Sequence, residues 1–282
     1  MSDLPGDVTC AGAVAEARRR GVDALDAQLL LARIVGTSRT GVIAHGERPL
    51  LPAQQERWRD WLARRSAGEP LAYLLGEKEF HELLLEVTPD VLVPRPETEL
   101  LVDWALECLP ASLAADTVLD LGTGSGAIAL AIKHQRRRAR VTATDDSAPA
   151  LDVARRNAAR LGLDIEFLAG SWWLPIGSRR FHVVVANPPY IAGGDRHLAA
   201  LAHEPSRALT PGGDGLAALR EIVGGACDHL EPGGWLVLEH GFDQGEPVRA
   251  RMAAAGLTDV ATRTDLSGQP RATAARRPGG TV

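Results

Sequence analysis

The sequence predicts an α/β fold, a mostly parallel sheet with helices on both faces, preceded by a small helical domain. Three observations predict it. From Thr117 onward, short apolar runs alternate with longer helical stretches. A glycine-rich turn, Gly122-Thr123-Gly124-Ser125-Gly126, joins the first of those runs to the helix that follows. Before residue 75 the apolar residues recur instead at helical spacing, as with Leu25, Leu29 and Ala32 beside Leu30 and Ile34.

Taken in order, residues 1–75 read as the helical domain, with a second amphipathic segment from Pro52 to Arg65 that carries Trp58 and Trp61. From Glu79 to Val93 the pattern turns strand-like. Leu83, Leu85 and Val87 alternate before Thr88-Pro89-Asp90 and Val91-Leu92-Val93, so a β-hairpin connector is expected over 76–95. After Pro94-Arg95-Pro96-Glu97-Thr98-Glu99 a helix begins at Leu100 and opens the third region, 96–282. Strands are expected there at 117–121, 140–144, 164–168, 181–186 and 234–240. Helices are expected near 126–135, 149–161, 214–229 and 245–255, and the tail from Thr258 to Arg277 supplies two edge strands. Only Pro278-Gly279-Gly280, at the very end, reads as disordered.

The glycine loop follows the apolar strand Val118-Leu119-Asp120-Leu121 and runs into Ala127-Ile128-Ala129-Leu130. Glycines let a backbone approach a ligand closely and adopt positive φ, and a helix N-terminus favours polar or anionic groups. The spacing is neither the dinucleotide pattern, whose third glycine comes one residue later, nor a phosphate loop, which needs Gly-Lys-Ser/Thr. A second strand, Arg140 to Thr144, ends at Asp145 about twenty residues on, where a carboxylate meets a ribose hydroxyl pair. Asp146 is adjacent, and either carboxylate could simply cap the next helix. Asp145 is preferred because it sits directly at the strand end. A nucleoside without a bridging pyrophosphate fits this geometry, and S-adenosylmethionine is the candidate.

The run Phe181-His182-Val183-Val184-Val185-Ala186 ends in Asn187-Pro188-Pro189-Tyr190. Two prolines remove backbone donors and stop the strand, which presents Asn187 at its carboxyl end, where open α/β sheets bind ligands. An asparagine amide both accepts and donates, as is needed to hold another planar NH2 group such as a glutamine amide, an adenine N6 or a cytosine N4.

Composition narrows the class. The 282 residues suit one large domain and a smaller one, and 45% hydrophobic content suffices for a core. A net charge of −5 argues against a protein that coats nucleic acid by electrostatics. The cluster Arg136-Arg137-Arg138 with Arg140 reads as a solvated helix end. Cys10, Cys108 and Cys227 are far apart and show no zinc or disulfide spacing, and the histidines form no metal-ligand pair, so no metal is expected. No apolar stretch near 18 residues and no signal peptide is visible, and a soluble cytoplasmic protein is expected.

Several blocks together resemble the peptide chain release factor glutamine methyltransferases (the PrmC/HemK family). They are Pro70-Leu71-Ala72-Tyr73-Leu74-Leu75-Gly76 with Glu79-Phe80, then Val93 to Glu99, the glycine loop, and Asn187 to Ile191. Glu204-Pro205-Ser206-Arg207-Ala208-Leu209 and Leu238-Glu239-His240-Gly241 continue the likeness. The glycine loop and Asn-Pro-Pro-Tyr alone would say only that a methyltransferase acts on a planar nitrogen. Pro-Arg-Pro-Glu-Thr-Glu and the helical region before it single out the family.

The resemblance implies a Rossmann-like class I S-adenosylmethionine methyltransferase domain that methylates the glutamine of a Gly-Gly-Gln motif in release factors, its protein partners. Residues 1–75 would dock that substrate. Gly122, Thr123, Gly124, Ser125 and Gly126 would cradle the methionine part of the cofactor, and Asp145 would take its ribose hydroxyls. Trp172 would lie beside the adenine, with Trp173 the near miss. Asn187 and the Pro188 carbonyl would hold the reacting amide, with Asn187 also touching the cofactor and Pro189 and Tyr190 shaping the pocket. Phe80, Arg95 and Glu97 would close over it from the connector. Family members often carry an acidic residue before that tryptophan, where this chain has Ser171. The implied enzyme is a monomer without metal, membrane or nucleic-acid contact. Two alternatives share most of these motifs, a glutamine methyltransferase of a ribosomal protein and a nucleic-acid amino-methyltransferase that flips its base into the pocket.

Overall fold

The computed structural model describes residues 8–109 and 116–279. Gly280, part of the tail expected to be disordered, lies outside them; Pro278 and Gly279 carry neither helix nor strand. The chain divides into two compact units, Met1–Glu77 and Lys78–Val282.

The first unit is helical: α1 (Cys10–Arg19), α2 (Ala24–Val35), α3 (Arg39–Ala44), α4 (Pro52–Ser66) and α5 (Leu71–Leu75). Side-chain caps start three of them, with Thr9, Asp23 and Ser38 accepting from backbone N–H groups in the first turn. Pro52 opens α4 at a position where its missing N–H costs nothing. Ala13, Ala17 and Ala27 are fully buried and let the helices approach around Leu30, Leu31, Trp58 and Leu62. Each buried leucine contributes roughly 1.5–3 kcal/mol of transfer free energy.

From the last residue of the first unit the chain enters a two-stranded sheet of β1 (Glu77–Phe80) and β2 (Leu83–Glu86). The chain reverses at His81 and Glu82, whose φ of 45° and 66° match the tight hairpin turn that suits strand twist. The sequence pattern pointed instead to a reversal near Thr88-Pro89-Asp90, with Val91-Leu92-Val93 as strand. Those valines are buried but join no ladder, because Val93 N donates to the Glu204 side chain at 3.1 Å. After a 3-10 turn at Pro96–Thr98 come α6 (Glu99–Cys108), β3 (Thr117–Leu121), α7 (Ala127–Gln135), β4 (Arg140–Asp145), α8 (Ala148–Leu161), β5 (Glu166–Ala169) and β6 (Phe181–Ala186). Then follow α9 (Ser206–Leu209), α10 (Ala217–His229), β7 (Leu230–Glu239), α11 (Gly245–Ala254), β8 (Thr258–Thr264) and β9 (Pro270–Arg276).

These seven strands form one sheet in the order β5-β4-β3-β6-β7-β9-β8. The first five run parallel, and β9 pairs antiparallel with both β7 and β8. The tail therefore supplies one edge strand, not two, since β9 inserts inside. Ala272, Ala274 and Ala275 are fully buried there, small enough for helices to cover both faces. β7 also begins earlier than its hydrophobic run, because Pro232-Gly233-Gly234 forms a bulge against β6 rather than a break.

Alternate residues of β6 face opposite cores, as a period of two requires. Val183 and Val185 pack with α6 and α7, while Val184 and Ala186 pack with α10 and α11. Strand order reverses between β3 and β6, which opens a crevice at their carboxyl ends.

Candidate active site

The loop leaving β3 is shaped by two backbone bonds. Gly122 N and Thr123 N both donate to Thr144 O at 2.9 Å, which folds the loop over the end of β4. Gly122 has φ +74°, and a Cβ there would lie 3.3 Å from the Trp172 ring. Gly126 starts α7 at φ +85°, where a Cβ would come within 2.9 Å of Leu130. Beneath the loop, Asp120 is fully buried and accepts from Thr123 Oγ1 (2.6 Å) and Ala129 N (3.2 Å). Its other oxygen has no partner, and burial pushes its carboxyl up to about 7.

Asp145 closes β4. Its Oδ2 accepts from Gly124 N at 2.8 Å and its Oδ1 from Ser147 N at 2.9 Å. Burial raises this carboxyl above its ordinary range, partly offset by those two donors. Asp146 turns to Arg207, 3.5 Å away. Both carboxylates line a cleft of about 750 Å³, together with Gly122, Gly124, Ser171, Trp172 and Asn187. The cleft is concave and sets glycine backbone, carboxylates and an indole around one space. Trp172 holds φ +42° and walls it, whereas Trp173 turns away and stacks on His229 with ring centroids 4.7 Å apart.

Asn187, just past β6, borders a second cleft of about 520 Å³ with Leu92, Arg95, Pro188, Tyr190 and Ile191. Leu92, Ala208 and Asn187 line both clefts, and Asn187 is the polar one of the three. Arg95 is held by an ion pair to Glu204, a carboxylate that is nearly inaccessible and also takes Val93 N. Asn187 Nδ2 donates to Thr98 Oγ1 at 3.2 Å, and the Thr98 hydroxyl donates to Glu239 Oε2 at 2.7 Å. Tyr190 OH donates to Glu239 Oε1 at 3.1 Å. Burial pushes the Glu239 carboxyl up to about 7 and drives the Tyr190 phenol upward as well.

Of the residues singled out from sequence, the fold brings Gly122, Gly124, Asp145, Trp172, Asn187, Pro188, Pro189, Tyr190 and Arg95 to these two clefts. Thr123 and Ser125 are buried in the loop and line neither, and Gly126 serves the turn into α7. Phe80 is 1% exposed in the core between β2, α6 and α7, so it supports the connector rather than covering a pocket. Glu97 is exposed on the 3-10 turn and lines neither cleft. Thr98 and Glu239 were not singled out as site residues. A polar residue ending the run Leu236-Val237-Leu238 is the signal that finds Glu239, by the strand-end rule that finds Asn187. Among the described residues no cluster of three His, Cys, Asp or Glu side chains is placed to hold a metal ion. No helix among them is long and apolar enough to cross a membrane.

Comparison with known proteins decides the family. Residues 98–217 match the methyltransferase small domain, and residues 11–76 match the PrmC N-terminal domain. A release factor glutamine methyltransferase of Burkholderia pseudomallei is 51% identical over 271 residues, which cover 93% of this chain and 95% of the relative. A release factor glutamine methyltransferase of Bordetella pertussis is 50% identical, covering 89% and 94% of the two chains. The chain belongs to the release factor glutamine methyltransferase family. Among solved structures, the 16S rRNA N2 G1207 methyltransferase of T. thermophilus, in complex with AdoMet and guanosine, superimposes with a TM-score of 0.54. It is 20% identical over 71% of this chain and 49% of its own, a likeness of fold alone. The release factor glutamine methyltransferase family thus accounts for both units, the helical one and the sheet-bearing one.

Proposed function

We propose that this enzyme transfers a methyl group from S-adenosylmethionine to the side-chain nitrogen (N5) of the glutamine in the Gly-Gly-Gln motif of peptide chain release factors. The observation that carries the reading is Asn187, the polar residue that borders the cleft at the glycine loop and the adjoining one at once. A group held there by its NH2 lies next to whatever the first cleft holds.

The first cleft suits the cofactor chemically. Gly122 and Gly124 expose backbone, Asp145 has lone pairs left for two ribose hydroxyls, and Trp172 offers a flat wall for an adenine. Bound there, S-adenosylmethionine supplies an electrophilic sulfonium methyl. A glutamine amide nitrogen is a poor nucleophile because its lone pair is delocalised, so the protein's task is positioning. The Asn187 side-chain oxygen and the Pro188 carbonyl would accept the two N–H bonds and orient the nitrogen towards the first cleft, the positioning on which such transfers depend. Positive charge develops on that nitrogen, so oriented acceptors stabilise the transition state more than the ground state. The proton then leaves to solvent. Arg95 and Tyr190 bound the substrate side, and residues 1–75 dock the protein around the loop. The enzyme acts in the cytoplasm as a monomer, and its net charge of −5 favours a protein substrate over nucleic acid.

Transfer of labelled methyl from S-adenosylmethionine to release factor, ribosomal protein and DNA tests this directly. Label is expected on the release factor glutamine. Label on ribosomal protein or DNA with none on release factor would overturn the substrate assignment.

A further inference from the structure

An asparagine amide has two faces of nearly equal shape and opposite chemistry, so something must decide which one meets the substrate. Here the deciding group is a hydroxyl. Thr98 has one hydrogen to give, and it goes to Glu239 Oε2 at 2.7 Å. Towards Asn187, 3.2 Å away, Thr98 can then only accept. The Asn187 NH2 therefore faces Thr98, and Oδ1 is left to face the clefts. The second oxygen of the same carboxylate takes the Tyr190 hydroxyl at 3.1 Å. One buried group thus anchors both ends of Asn187-Pro188-Pro189-Tyr190.

We infer that Thr98 and Glu239 are positioning residues, a relay that locks the Asn187 amide with its oxygen towards the reacting nitrogen and releases it when Glu239 takes up a proton. The inference rests on Asn187 being the acceptor for the substrate amide, as proposed above. Protonated on Oε2, Glu239 donates to Thr98. That frees the Thr98 hydrogen to turn to Asn187, which an amide flip meets by presenting Oδ1. Two NH2 groups would then face each other, and the substrate loses its acceptor.

The surroundings of Glu239 make that proton uptake accessible. The carboxyl is 1% exposed, and burial pushes it up to about 7. Thr98 and Tyr190 donate to it, the Arg271 guanidinium on β9 favours its charge, and Glu97 on the 3-10 turn opposes it. Arg271 is itself held by Asp265 at 3.2 Å, so its pull on Glu239 is tempered. Deprotonated Glu239 is the active form, and turnover is lost as pH falls through about 7.

The chain permits a direct reading, because Asn157 and Asn187 are its only asparagines. Asparagine-selective nitrogen-15 labelling gives two side-chain NH2 signals, assigned by the loss of one in Asn187→Asp. Asn157 is a fixed reference, since its NH2 donates to Glu86 O (3.0 Å) and Ser125 O (2.9 Å). In the wild-type enzyme the Asn187 signal should titrate near neutrality, in step with the acid limb of kcat. Thr98→Val should shift that signal, abolish its titration and lower kcat about tenfold, the fold-change of one oriented hydrogen bond lost. Thr98→Ser should restore both, with KM for S-adenosylmethionine unchanged throughout. Glu239→Gln should give a low kcat that no longer depends on pH across neutrality. An Asn187 signal indifferent to Thr98→Val and to pH would overturn the relay. If the wild type left release factor unmethylated, the substrate reading would fail, while the NH2 signal would still decide the relay.

Discussion

Gly124 N donates to Asp145 Oδ2 at 2.8 Å, so the tip of the glycine loop and the end of β4 form one hydrogen-bonded unit. The two residues lie 21 apart in sequence, and the sheet register brings them together. A ligand gripped by Asp145 is therefore gripped by the loop as well.

Asp145→Ala should weaken S-adenosylmethionine binding by roughly 1.5–3 kcal/mol, the range for hydrogen bonds to a charged group. The loop should loosen too, since Gly124 N loses its acceptor. Asp146→Ala should change affinity little, because that carboxylate is turned to Arg207. Calorimetry on both variants checks this, and the reverse ranking would show that the ribose partner is Asp146.

Asn187→Ala should lower methyl transfer by about 10²–10³, as for loss of one oriented group where charge develops. Cofactor affinity should stay within a few-fold of wild type, on the proposal that the loop and Asp145 hold it. Asn187→Asp keeps an acceptor oxygen but loses the NH2 that Thr98 receives, and some activity should survive. Single-turnover transfer beside cofactor titration separates the two effects. Near-normal transfer by the alanine variant would remove Asn187 from the mechanism.

Asp120 predicts a pH dependence of stability. Its folded carboxyl is pushed up to about 7 from an ordinary value of 3.8. A raised carboxyl means that the folded state binds the proton more tightly than the unfolded one. Its stabilising contribution is complete below the unfolded value and is lost as pH rises through the folded one. Asp120→Asn should therefore flatten the decline in thermal stability between about pH 4 and pH 7, an effect on the order of 1 kcal/mol or more. Calorimetric melts across that window check it, and an unchanged slope would mean that Asp120 stays ionised in the fold.

Removing the helical unit, Met1–Glu77, should leave S-adenosylmethionine binding intact, because all residues lining the cofactor cleft lie beyond it. Methylation of intact release factor should fall sharply. Circular dichroism must first show that the truncated chain folds. A folded truncation as active as the full chain would deny the helical unit any part in docking.

Most of the sheet was legible because strands reveal themselves locally. β3 and β6 occupy the predicted residues, since β-branched runs bounded by glycine or proline have few other fates. The hairpin was legible as a hairpin but its turn was not, because His81 and Glu82 are poor candidates for left-handed backbone. What holds them is tertiary: His81 N donates to Glu99 at 3.0 Å and its ring meets Asp103 at 3.0 Å. The position of β9 was illegible for a related reason. An Ala-Thr-Ala-Ala strand carries little hydrophobic signal, and its burial comes from what lies above and below it.

The sequence by itself determined the strand ends, the glycine loop and the placing of Asn187 just past a strand, because strand period, proline breaks and positive-φ glycines act over a few residues. It also carried, in Pro-Arg-Pro-Glu-Thr-Glu and Asn-Pro-Pro-Tyr, the likeness to the family. Only the tertiary structure decided that Trp172 and not Trp173 faces the cleft, that Phe80 belongs to the core, and that Thr98 stands behind Asn187. Thr98 lies 89 residues from Asn187 and 141 from Glu239. No local pattern encodes bonds of that reach; they exist because the sheet sets the ends of β6 and β7 side by side beneath the turn that carries Thr98.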